Sequence, residues 1–78
     1  MTFRIDPAVT KEFRRLDKGV MEKVIALAKK ANASKVECSP DGSRFSRVVV
    51  RFDSLDMLGN VKVASHVEQE VNKLRTQA

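Results

Sequence analysis

Ten residues, Arg44-Phe45-Ser46-Arg47-Val48-Val49-Val50-Arg51-Phe52-Asp53, constrain the fold more than any other stretch of the chain. Branched and aromatic residues are concentrated there, which predicts a β-strand. With a period of two, Val48, Val50 and Phe52 point to one side, and Arg47, Val49 and Arg51 to the other. One face of this strand requires an apolar core. The opposite face presents guanidinium groups on a nearly flat surface and suggests docking of something anionic.

The remaining elements follow in chain order. Thr2-Phe3-Arg4-Ile5 alternates and predicts a short first strand. Asp6-Pro7 has the form of a helix start, with a capping carboxylate followed by proline at the first helical position. From Ala8 to Ala31, Val9, Phe13, Leu16, Val20, Val24, Leu27, Ala28 and Ala31 recur in steps dominated by three and four, the spacing of an amphipathic helix. Gly19 either bends that helix or divides it in two. Lys35-Val36-Glu37-Cys38 alternates again, and Ser39-Pro40-Asp41-Gly42 is a turn signal. Lys35–Ser39 and Arg44–Asp53 are therefore expected to form an antiparallel hairpin. Leu55, Met57 and Leu58 lie in a connection and are expected to cap the core edge, the alternative being contact with a partner. Gly59-Asn60 supplies a reversal, and Val61-Lys62-Val63 reads as a last strand. Ser65-His66-Val67-Glu68 has capping-box spacing and opens a final helix through Val67, Val71 and Leu74.

These elements predict a single α+β domain over residues 1–78. It has an antiparallel sheet of three or four strands, helices on one face, and the order β-α(α)-β-β-β-α. The expected core contains Phe3, Ile5, Phe13, Leu16, Val20, Val24, Leu27, Val36, Cys38, Val48, Val50, Phe52, Val61, Val63, Val67, Val71 and Leu74. The uncovered sheet face then displays Arg4, Lys35, Arg47, Arg51 and Lys62 against one acid, Glu37. Val49 adds an apolar patch, and Phe45 lies in phase with Arg47. With Arg44 from the same run, these residues form the expected binding surface.

Composition narrows the chemistry. Fifteen Lys and Arg against ten Asp and Glu give a net charge of +5, which favours nucleic acid or an acidic protein surface as partner. Cys38 is the single cysteine, excluding an internal disulfide, and reads as a small core residue in a reducing compartment. His66 is the single histidine, so a His/Cys metal site lacks ligands, and no metal or other cofactor is expected. Asp53 and Asp56 read as solvated loop carboxylates. No phosphate-cradling glycine loop, nucleophile elbow or zinc spacing occurs, so the residues do not suggest an enzyme. The longest apolar run is far below membrane-spanning length. Asp6-Pro7 also interrupts the place where a signal peptide has its apolar segment, so a cytoplasmic location is expected. At this size a homodimer is compatible with the need to cover apolar surface.

The chain resembles the RelE/ParE toxin superfamily in Phe3-Arg4-Ile5-Asp6 as a first strand. It does so also in Lys11-Glu12-Phe13-Arg14-Arg15-Leu16 with Val20-Met21-Glu22-Lys23 as a helical pair, and in Gly42 to Phe52 as a glycine-arginine strand. That resemblance implies a small basic toxin neutralised by an antitoxin, cleaving messenger RNA on the ribosome or acting on DNA gyrase. Arg44, Arg47 and Arg51 would stand for the family's sheet arginines. No tyrosine is present for the C-terminal catalytic role of many ribonuclease members, and His66 would have to replace it. Three functions thus remain open: a nucleic-acid-binding module, a small regulator or inhibitor acting by protein–protein interaction (phage- or plasmid-type), and a toxin of this family.

Overall fold

The structure, a computed structural model, describes residues 6–76. The predicted strand Thr2–Ile5, with Arg4 and the core positions Phe3 and Ile5, lies outside the described residues. The element order is β1 (Val9–Leu16), α1 (Lys18–Lys30), β2 (Lys35–Pro40), β3 (Ser46–Phe52) and α2 (Met57–Thr76). The three strands form an antiparallel sheet in the order β1-β3-β2, an α+β arrangement with β3 at its centre.

Central β3 behaves as its alternation requires. Val48, Val50 and Phe52 are buried, in one cluster with Phe13 and Leu16 of β1, Val24 and Ala28 of α1, and Ala64, Val67 and Val71 of α2. Burying an aliphatic or aromatic side chain of this size stabilises the fold by about 1.5–3 kcal/mol, so this cluster holds both helices on one side of the sheet. The hairpin also forms, with Lys35 opposite Arg51, Glu37 opposite Val49 and Ser39 opposite Arg47.

Three expectations are corrected. Val9–Leu16 is a strand rather than the first half of a helix, so the helical pair of the toxin resemblance does not form. Its edge carries an irregularity: Phe13 pairs with Val48 and Leu16 with Ser46, so one extra residue stands on β1. The helix instead begins at Lys18. Asp17 is its N-cap, its carboxylate accepting from the Val20 amide at 2.8 Å. At the other end Asn32 takes a left-handed φ of 61°, and Ala33 N–H reaches Ala28 O at 3.0 Å while Asn32 N–H reaches Lys29 O. That is a Schellman closure, with asparagine in the position usually taken by glycine.

The second correction concerns Val61-Lys62-Val63, which lies within α2. The buried residues Asn60, Ala64, Val67 and Val71 follow steps of four and three along one side of that helix. Asp56, not Ser65, caps it: its carboxylate accepts from Gly59 N–H at 2.7 Å and its carbonyl from Asn60 N–H. A Cβ on Gly59 would lie 2.9 Å from both the Asp56 carboxylate and Leu55 Cβ, which explains a glycine in the first turn. Asn60 is buried with its side-chain amide fully engaged by backbone. It donates to Pro7 O and Leu55 O and accepts from Leu55 N–H.

The third correction is to the core. Cys38 is exposed, its thiol donating to Met21 Sδ, and Val61 is exposed as well. Leu55, Met57 and Leu58 do not cap the core edge but stand in solvent beside Val61 at the start of α2. His66 sits midway along α2, exposed, rather than in a first turn. No helix among the described residues is long and apolar enough to cross a membrane.

Candidate functional site

The open face of the sheet is less cationic than its sequence suggests. Lys62 is on α2, not on a strand of this sheet. Glu12, placed opposite Val49 on β1, joins Glu37 there, and Asp6 and Asp53 meet Arg51, so the expected single acid is corrected to four. Arg51 stands between two carboxylates, with Nη2 3.3 Å from Asp6 and Nε 3.3 Å from Asp53. Both hold its guanidinium proton more firmly, the Asp53 bond foremost. Arg47 approaches Glu12 at 4.0 Å and donates to Ser39 Oγ at 3.3 Å. Lys35 meets Glu37 at 2.9 Å. An incoming phosphate would have to displace these carboxylates and would gain only the difference.

At one end of the same sheet the arrangement is different. Here the extra residue of β1 puts Arg15 in the left-handed region, φ 55°, which a non-glycine residue occupies only when its surroundings hold it. Asp41, at the start of the β2–β3 loop, supplies the hold. Its carboxylate accepts the Arg15 amide at 2.9 Å and the Arg14 guanidinium at 3.3 Å. These bonds, the Arg15 amide first, keep the Asp41 carboxyl below the ordinary carboxylate range. The loop itself is closed by Asp41 N–H donating to Phe45 O, and Gly42 turns it with φ 86°.

The outcome is a guanidinium, Arg15, over the ring of Phe45, 6.0 Å from its centroid. Phe45 remains 40 % exposed. Arg75, in the last turn of α2, donates to Arg14 O and Arg15 O and so pins the bulge from the helix side. Together Arg15, Phe45 and Arg75 rim a depression of about 250 Å³ whose apolar wall is Val20 and Leu74. Asp17 is the carboxylate on that wall, and it is already bound to the α1 amides as the cap. Among the described residues, Arg15, Arg44 and Arg75 form no ion pair.

Of the sequence-predicted surface, then, Arg44 and Phe45 lie in the loop at this end, and Arg47 lies just beyond it on β3. Lys35, Val49 and Arg51 share the charge-balanced open face, and Lys62 lies on α2 rather than on a strand. Sequence reasoning missed Arg15, Arg75 and the organising role of Asp41. The available signal was the doubled Arg14-Arg15, placed where strict alternation between Phe13 and Leu16 breaks. Among the described residues, no group of three or more His, Cys, Asp and Glu side chains is placed to hold a metal ion. Comparison with known proteins finds no matching family model, no matching curated protein and no matching solved structure.

Proposed function

We propose that the chain is a small basic binding module that docks nucleic acid at the bulged end of its sheet, through Arg15, Arg44 and Arg75 with Phe45. The observation carrying this reading is the left-handed Arg15, held by Asp41 and Arg75 so that an unpaired guanidinium stands over an exposed ring. A backbone strain of this kind persists only where its surroundings impose it; the bulge turns Leu16 into the core and, on the outer side, sets the Arg15 guanidinium over Phe45. Guanidinium forks suit phosphate oxygens, and a ring beside them suits a base. The net charge of +5 adds long-range attraction.

Fluorescence anisotropy of labelled RNA and DNA oligonucleotides at low salt tests it. Arg15→Gln with Arg44→Gln is expected to weaken binding by roughly tenfold or more. Arg47→Gln with Arg51→Gln, an equal change of charge, should alter it much less. Equal losses from the two pairs, or no binding by the unsubstituted protein, would count against the proposal.

A second reading, a regulator acting by protein–protein contact, draws on Leu55, Met57, Leu58 and Val61. These four exposed apolar side chains gather at the start of α2. Purification after nuclease treatment separates the two readings. A protein partner survives that treatment and a nucleic acid does not.

A further inference from the structure

We infer that the strand bound at this end is single, with one unpaired base entering the depression beside Phe45 and the backbone continuing along the seam between α1 and α2. This inference rests on the nucleic-acid reading above and goes beyond it by naming the form of the ligand and its path.

The first support is the shape and chemistry of the depression. At about 250 Å³ it is below the usual size of a site for a whole cofactor and suits a fragment such as one base. Val20 and Leu74 give it an apolar wall, and the Phe45 ring gives it a flat one. Bases within a duplex are stacked and paired, so their faces cannot reach an apolar socket. An unpaired base can leave its stack and lie against an aromatic ring or a guanidinium plane. Arg15 and Arg75 stand at the rim, where the phosphates flanking an inserted base would pass.

The second support is continuity. Leu74 lines this depression and also a second one, of about 300 Å³, between the two helices. The floor of the second is Ala26, Leu27 and Leu74, and Lys23 and Lys30 stand along its α1 side. Val20, Lys23, Leu27 and Lys30 are spaced by three and four, so they follow one side of α1 over roughly 15 Å. Glu70 is the carboxylate on this path and is paired with Lys73 at 3.4 Å. The line therefore alternates cations with apolar surface, the composition of a groove that tracks a flexible strand.

Three ligands of one fluorescent label and similar charge separate the possibilities: an eight-nucleotide single strand, a hairpin duplex, and an eight-unit abasic strand. Anisotropy at low salt is expected to show the single strand bound roughly tenfold tighter than either other ligand. Phe45→Ala should remove the advantage over the abasic strand while the protein still unfolds cooperatively with only a small fall in melting temperature, since the ring is outside the buried cluster. Lys23→Gln with Lys30→Gln should reduce the salt dependence for the single strand by about 1.4 in log–log slope, two phosphate contacts' worth. If duplex or abasic strand binds as tightly and still depends on Arg15 and Arg44, the docking site stands and this inference falls. If none of the three ligands binds, both fall together.

Discussion

The open face and the bulged end of one sheet both carry arginines, but their carboxylates are bound to different things. On the open face the acids meet cationic side chains: Asp6 and Asp53 enclose Arg51, Glu12 approaches Arg47, and Glu37 meets Lys35. At the bulged end the acids meet backbone amides, Asp41 that of Arg15 and Asp17 that of Val20. A carboxylate bound to backbone shapes the chain and leaves neighbouring guanidinium groups unpaired. Asp41 and Asp6 each do part of both, since Asp41 also meets Arg14 and Asp6 also accepts from the Ala8 amide. Counting cations on a surface therefore says little about its capacity for an external anion. What matters is which donors already occupy the nearby acids.

The sharpest way to break this comparison is to remove one acid from each region. Asp41→Ala raises the net charge from +5 to +6, and charge alone would strengthen oligonucleotide binding. Loss of the hold on Arg15 is instead expected to weaken it by roughly tenfold, the scale of one misplaced guanidinium contact. Asp53→Ala makes the same change in charge and should strengthen binding, by less than about fivefold, because Arg51 is partly released. Affinities measured at one salt concentration decide the matter. A gain of similar size from both variants would mean that the bulge has no special role.

The same bulge explains which part of the fold was legible in the sequence. Central β3 and its hairpin partner could be read because the inward residues Val48, Val50 and Phe52 keep a period of two, Val36 lies opposite Val50, and Pro40-Asp41-Gly42 marks the reversal. β1 could not. An extra residue between Phe13 and Leu16 changes the inward spacing from two to three, so Val9, Phe13 and Leu16 reproduce the helical steps of four and three. In α2 the misleading residue was Asn60. A buried asparagine breaks the apolar stripe at the helix start, and beside Gly59 it imitates a turn. Its burial depends on Pro7, 53 residues away, which no local pattern reveals. The candidate site was half legible for the same reason. Arg44 and Phe45 sit in the recognisable hairpin, whereas Arg15 and Arg75 are brought to it by the bulge and by the far end of α2.

A more modest effect sharpens the comparison through salt. For single-stranded nucleic acid each phosphate contact contributes about 0.7 to the slope of log affinity against log salt concentration. Arg15→Gln should reduce the magnitude of that slope by about this amount. Arg51→Gln, on the open face, should leave the slope nearly unchanged. If instead Arg51→Gln lowers it as much as Arg15→Gln does, the phosphates lie across the flat face and the carboxylates there yield to them.

The smallest expected effect is on acid stability, and it tests whether Asp41 is engaged in solution as the geometry requires. Its carboxyl is held below 3.8, chiefly by the Arg15 amide and then by Arg14, and that of Asp6 by the Ala8 amide and then by Arg51. A carboxyl lowered in this way stabilises the fold above the unfolded value of 3.8. That contribution is lost as pH falls from there through the folded value. Melting temperature should therefore fall with acidification below about pH 4, and less steeply in Asp41→Asn and in Asp6→Asn. The two carboxyls differ in what they report. Protonating Asp41 weakens its bond to the Arg15 amide, so the NMR shift of that amide proton should titrate below pH 4 in the unsubstituted protein and stay flat in Asp41→Asn. An Arg15 amide that does not respond in the unsubstituted protein would mean that Asp41 does not hold the bulge, and the distinction between the two ends of the sheet would lose its cause.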